Sequence, residues 1–219
     1  MTSRRPFAAL PPDVRKVSDL PGRLLIIFGA LPLNSMSPKF QISRDSQALY
    51  ITIVTKDRLP VFQTDAIKIV TCEALDEARK SGGFLLFAYV IMPDHLHLLT
   101  DCPKTSADVL RCVKGITARR VIDYLKEHDY QSSLAKLRHD EWKRKHSYSL
   151  WQQEKNVFSI FSEAVFMQKV NYIHLNPVRA ELVERAIDYH WSSARIWQRQ
   201  ATDDEPLAVD FDRIEWRRA

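Results

Sequence analysis

The sequence predicts an α+β domain, with a ferredoxin-like antiparallel sheet and helices packed mainly on one face. Three observations carry that expectation. Short runs rich in β-branched and aromatic residues (ALYITIV, FLLFAYVIM, HLHLLT) read as buried strands. Longer stretches between them repeat their apolar residues at helical spacing. The resulting order is strand, helix, strand, strand, helix, strand, helix, which favours a mainly antiparallel sheet over a parallel one.

Taken in order, residues 48–54 form the first strand, and a turn follows over 56–60. Thr64 is placed as the N-cap of a helix reaching about Ser81, with Ile67, Val70, Ala74 and Ala78 on its apolar stripe and Gly82 and Gly83 ending it. FLLFAYVIM is the second strand, stopped by Pro93. HLHLLT is the third, antiparallel to the second if the turn at Pro93 and Asp94 is tight. Ser106 opens a second helix to about Glu127, with Leu110, Val113, Val121 and Tyr124 on one stripe and Arg111 and Lys114 opposite. The polar, basic stretch 128–145 reads as a loop, and SYSLWQ (147–152) as the fourth strand. Ser162 starts a third helix, expected to end near Asn176 because Pro177 disfavours helical geometry in the residue before it. Residues 1–43 are read as a loosely docked extension, 44–199 as the folded domain and 200–219 as a polar tail.

The 219 residues are 45% hydrophobic, enough for one domain with a sizeable core. Lys and Arg exceed Asp and Glu by 32 to 27, a net charge of +5 that mildly favours a polyanionic partner. Three cysteines with no CxxC pair read as reduced thiols, consistent with a cytoplasmic location. The apolar run LLIIFGALPL near the start lacks a convincing cleavage site. It is also shorter than the roughly 20 residues a bilayer requires, so neither a leader peptide nor a membrane span is expected.

Two segments carry chemistry. In MPDHLHLLT, alternation along a strand puts His95 and His97 on one face, about 6–7 Å apart at their Cα atoms, close enough to ligate one divalent cation. Asp94 is placed to orient one imidazole. The bland alternative is one histidine capping the turn and the other packing beside the sheet. In SEAVFMQKVNYIHLNPVRAELV, Phe166, Val170 and Ile173 make a core stripe, while Tyr172 and Asn176 stack four residues apart on its flank. Taken alone, Tyr172 reads as an ordinary amphipathic tyrosine, and His174 as a surface or DNA-facing residue. Together, two imidazoles and the Asn176 amide oxygen suit Mg²⁺ or Mn²⁺ better than a closed zinc site, with Tyr172 beside them as a nucleophile. The PCxxC of zinc deaminases is absent.

MPDHLHLL, then YIHLNPVRAELV with Tyr172 75 residues after His97 (172 − 97), then DYHWSSARIW together resemble the REP-associated tyrosine transposases, a branch of the single-tyrosine HUH transposases of bacterial insertion sequences. The pair Trp151 and Gln152, with Trp151 21 residues before Tyr172 (172 − 151), fits the same pattern. The resemblance implies that His95 and His97 are metal ligands, that Asn176 is the helix-borne third ligand, and that Tyr172 forms a 5′-phosphotyrosine bond. It implies a substrate of hairpin-bearing single-stranded DNA, cut and resealed without ATP, with monomer and homodimer both open. Departures are Glu181, where family members often carry Gly, and KNVFSIF (155–161), which lacks an aromatic–acidic cluster common in the better-known branch. Candidate phosphate contacts are Arg111, Lys114, Arg138, Lys143, Arg144, Lys145, Arg179 and Arg195; Trp142, Trp151, Trp191 and Trp197 are read mostly as core. The competing reading is a domesticated, non-catalytic DNA-binding protein of the same fold.

Overall fold

A computed structural model describes residues 39–138, 147–154 and 156–217. Its elements are β1 (Ala48–Val54), α1 (Asp65–Gly82), β2 (Leu86–Ile91), β3 (His95–Asp101), α2 (Ser106–Glu127), α3 (Gln131–Leu137), β4 (Asn156–Ile160), α4 (Glu163–Arg179) and a single turn α5 (Ala194–Trp197). The four strands form one antiparallel sheet in the order β2-β3-β1-β4, the ferredoxin-like arrangement of two split βαβ units.

Local chemistry sets the ends of these elements. α1 stops at Gly83, whose left-handed φ of 65° lets its N–H reach the Arg79 carbonyl. The Thr105 hydroxyl accepts from Asp108 N–H at the start of α2, and the Ser162 hydroxyl from Val165 N–H at the start of α4. The β2–β3 turn closes with Met92 N–H donating to the His95 carbonyl, 2.8 Å.

Register divides the sheet into two faces. Ile51 lies opposite Leu98, Ile53 opposite Leu96 and Tyr89 opposite Leu98, so these side chains share one face. Cys72 of α1 sits close to Tyr89, and α1 packs along α2, so this pair of helices covers that apolar face. The other face carries Tyr50, Thr52, His95, His97 and Leu99, and α4 lies across it. Phe166 of α4 is fully buried against Phe87, worth about 1.5–3 kcal/mol of transfer free energy.

The structure differs from the sequence expectations at several places. The 128–145 stretch contains α3, whose buried Leu134 and Leu137 turn inward; residues 139–146 lie outside the described set. SYSLWQ is not a strand. Leu150 and Trp151 are buried consecutively, which breaks two-residue alternation, and the segment makes only isolated bridges, Trp151 to Thr55 just past β1 and Tyr148 to Arg138. The fourth strand is Asn156–Ile160, inside KNVFSIF. α4 continues through Pro177 to Arg179: the proline falls in the last turn, where few backbone bonds remain to be lost, and its ring is buried. Finally, the polar tail is tied to the domain from Glu205 onward, while residues 200–204 are exposed. Asp210 ties onto the start of β2 through Leu86 and pairs with Arg79, and Ile214 bridges Phe40, so Phe40 and Ile42 also join the core. The remainder of the expected extension, residues 1–38, lies outside the described set. No helix among the described residues is long and apolar enough to cross a membrane.

Candidate active site

β3 presents His95 and His97 on the face that α1 and α2 leave open, with ring centroids 4.8 Å apart. Each ring has its Nδ1 engaged by the protein. His95 Nδ1 lies 2.5 Å from Asp94 Oδ1, and a carboxylate only accepts, so Nδ1 donates and Nε2 is the ring nitrogen left to face outward. Burial alone would raise the Asp94 carboxyl; its bonds to His95 and Arg58 outweigh that and hold it below the usual carboxylate range. His97 Nδ1 lies 2.8 Å from Tyr50 Oη and 2.9 Å from Thr52 Oγ1. Those two residues stand on β1 at alternate positions, and Thr52 is directly opposite His97 in the register. Burial, helped by His95 beside it, pushes the His97 pKa down to about 3, so the ring is neutral near pH 7. Both imidazoles are therefore held by Nδ1, the outer-shell arrangement that presents Nε2 as a ligand atom.

α4 brings the remaining groups. The Tyr172 ring meets His97 edge-on at 5.6 Å and Tyr50 edge-on at 6.0 Å, yet the residue stays 39% exposed. One turn later the Asn176 side chain is hydrogen-bonded to His97, and because its Nδ2 already donates to the Tyr172 carbonyl, Oδ1 is the atom left to face the histidines. Three of the expected donors thus converge, with the phenol alongside. Among the described residues no group of three or more His, Cys, Asp or Glu side chains is placed to hold a metal, so a cation here would depend on the neutral Asn176 amide as its third protein ligand. Two imidazoles turned with Nε2 outward and one amide oxygen, here bonded to His97, fit an open, partly hydrated cation site.

Two tyrosines flank His97 and differ in environment. Burial, partly offset by the Thr52 hydroxyl, pushes Tyr50 up to about 12, so it keeps its proton and serves as a hydrogen-bonding group. Tyr172 is the one open to solvent. Cations surround these rings: Lys169 Nζ stands 4.6 Å from the Tyr50 centroid and 5.7 Å from that of Tyr172, and the Arg179 guanidinium lies 4.9 Å over Tyr172. Tyr50, Thr52 and Lys169 did not stand out in the sequence. Tyr50 and Thr52 share a strand face, but only the β1–β3 register puts them beside His97.

The other candidate DNA contacts disperse. Arg111 and Lys114 lie on α2, on the far side of the sheet; Arg111 pairs with Asp108 and Lys114 Nζ donates to the Gln152 carbonyl. Arg138 is exposed at the end of α3. Arg195 is largely covered, ion-paired to Glu205 and against His190. Lys143, Arg144, Lys145 and Trp142 lie outside the described residues. Trp151 and Trp191 are buried, and the indole N–H groups of Trp151 and Trp197 donate into the core, as a structural role requires. His174, expected on the surface, is buried with its Nε2 2.9 Å from Ser193 Oγ, and Ser193 in turn bonds the Tyr89 backbone; this histidine fastens α4 to the segment that borders β2.

Comparison with known proteins adds three findings. The family model "Transposase IS200 like" matches residues 44–176, which include both histidines, Tyr172 and Asn176. Among solved structures, a REP-associated tyrosine transposase bound to a REP hairpin superposes with a TM-score of 0.52 at 16% identity, covering 82% of this chain and 93% of that one. A candidate transposase from Deinococcus radiodurans R1 aligns with a TM-score of 0.43 at 24% identity, covering 58% of this chain and 88% of the other. No curated protein matches the chain significantly.

Proposed function

The chain belongs to the IS200-like transposase family, and from that premise we propose that it cuts and rejoins single-stranded, hairpin-bearing DNA through a covalent bond between Tyr172 and a 5′ phosphate. The observation that carries this reading is the position of Tyr172, edge-on to His97 at 5.6 Å while open to solvent. A strand laid over the α4 side of the sheet meets the phenol and the two imidazoles together.

Tyr172 Oη attacks the phosphorus of the scissile phosphodiester. The P–O3′ bond breaks, the phenolic proton ends on the departing 3′ oxygen, and a 5′-phosphotyrosine remains. A 3′-hydroxyl then attacks that phosphorus, re-forms a phosphodiester and returns the proton to Tyr172. One phosphodiester is exchanged for another at each step, so no ATP is required. His95, His97 and Asn176 would hold a Mg²⁺ or Mn²⁺ ion, whose chemistry when bound is to polarise the phosphate and offset charge on the leaving oxygen. Asp94, Tyr50 and Thr52 keep the two imidazoles turned with Nε2 outward. Arg179 and Lys169 add positive charge beside the attacked phosphate. The hairpin in the related structure supports a hairpin as partner here.

Incubation with Mn²⁺ and a hairpin oligonucleotide bearing single-stranded flanks should give a DNA adduct stable to SDS. Tyr172→Phe should abolish it while leaving DNA binding nearly intact. An adduct that persists in that variant overturns the assignment.

A further inference from the structure

β4 is an edge strand of the sheet, and its middle residue is an aromatic left in water. Phe158 is 52% exposed. Edge strands usually carry charge or proline to discourage pairing with other chains, so an open phenylalanine there calls for an occupant. Its register partner is Tyr50, which places both rings on the face that carries His97. Lys169 Nζ sits between them, 5.3 Å from the Phe158 centroid and 4.6 Å from that of Tyr50. The patch is continuous with the proposed nucleophile: Phe158, Lys169, Tyr50 and Tyr172 follow one another, and Arg179 closes the far end over Tyr172.

We propose that Phe158 is a stacking platform for one nucleobase of the single strand that reaches Tyr172, with Lys169 pairing to the adjoining backbone phosphate. The proposal rests on the transposition reading and names where that strand enters. The chemistry favours this occupant. Every base offers a π-face once it leaves a duplex, and an aromatic beside an ammonium satisfies the base and its phosphate together. Two cations flanking the patch also suit a polyanion better than a second copy of a chain whose net charge is +5. A duplex keeps its bases stacked inside and offers the phenylalanine nothing comparable.

The test is equilibrium binding of the full chain in EDTA, where strands are not cut, with fluorescein-labelled oligo(dT) of about 12 nucleotides and a blunt duplex of equal length as probes. Phe158→Ala should weaken single-strand binding about 5- to 150-fold, the range for losing one base–aromatic stack. Phe158→Trp should restore binding, and Phe158→Leu, which keeps apolar bulk and the fold, should not. Phe161→Ala serves as the control, since Phe161 is 49% exposed and neighbours the same strand. Wild-type affinity in Phe158→Ala and Phe158→Leu, an equal loss in Phe161→Ala, or an equal loss on the duplex overturns the proposal. So does a dimer that dissociates on Phe158→Ala with DNA affinity unchanged, because that assigns the patch to a second copy. The assay needs no adduct, so a failure of the tyrosine chemistry would appear separately, as a missing adduct beside an intact Phe158 dependence.

Discussion

The two faces of the sheet come from the same alternating strands and have opposite fates. One carries Ile51, Ile53, Leu96, Leu98 and Tyr89 and is sealed by α1 and α2. The other carries Tyr50, Thr52, His95 and His97 and is only partly covered, by α4. Both crossover helices fall on one side because the βαβ crossovers share a hand. The bare side is then free to hold polar groups that a closed core would have to neutralise. The sealed face is mainly apolar, and the other gathers the candidate site residues.

Substitutions on the two faces should separate stability from chemistry. The largest effect is expected for His97→Ala: the adduct falls to background in a gel assay at a temperature where the variant remains folded, and retained cleavage would break the division. Leu98→Ala, one residue along and on the sealed face, should destabilise by about 2–5 kcal/mol in denaturant titration yet still form adduct well below its midpoint. Tyr50→Phe combined with Thr52→Val frees His97 Nδ1 and should weaken Mn²⁺ affinity about 10- to 100-fold, read by electron paramagnetic resonance of free Mn²⁺.

His174 tests how α4 is fastened. Burial holds its pKa down to about 4 against 6.5 in the unfolded chain, so the folded state resists a proton that the unfolded state accepts. Its stabilising contribution is therefore complete above about pH 6.5 and is lost as pH falls toward 4, at about 1.4 kcal/mol per pH unit at most. The stability difference between wild type and His174→Gln, measured by urea unfolding at pH 7 and pH 5, should shrink at the lower pH; a constant difference contradicts the buried, neutral state. The smallest effect concerns the end of α4. Glu181 has a left-handed φ of 55°, a conformation glycine adopts without strain, and Glu181→Gly should stabilise by about 0.5–1 kcal/mol. A loss of stability would show that the glutamate side chain makes a contribution outweighing its backbone strain.

Much of this molecule was legible in one dimension. The limits of β1 and α2, the helix that follows Thr64 and the HLHLLT strand follow from periodicity and caps, because those signals act over a few residues. The choice of His95, His97, Tyr172 and Asn176 as candidates also came from spacing and motif. What periodicity missed lies where local preference is weak or overruled. β4 is a half-exposed edge strand whose pattern is faint, and α4 passes Pro177 because the proline falls in the last turn with its ring buried. Residues 205–217 look polar yet are tied in by Asp210 and Ile214.

By itself the sequence determined which strands alternate, where helices begin, and that two imidazoles share a strand face, since each depends on neighbours in the chain. Only the tertiary structure decided that Tyr50 and Thr52 hold His97, that His174 is buried while Tyr172 two residues away is open, and that Lys169 and Phe158 adjoin the same cleft. Those facts depend on strand register and on which face α4 covers. Register and docking are set by contacts between segments far apart in the chain, and no local pattern encodes them.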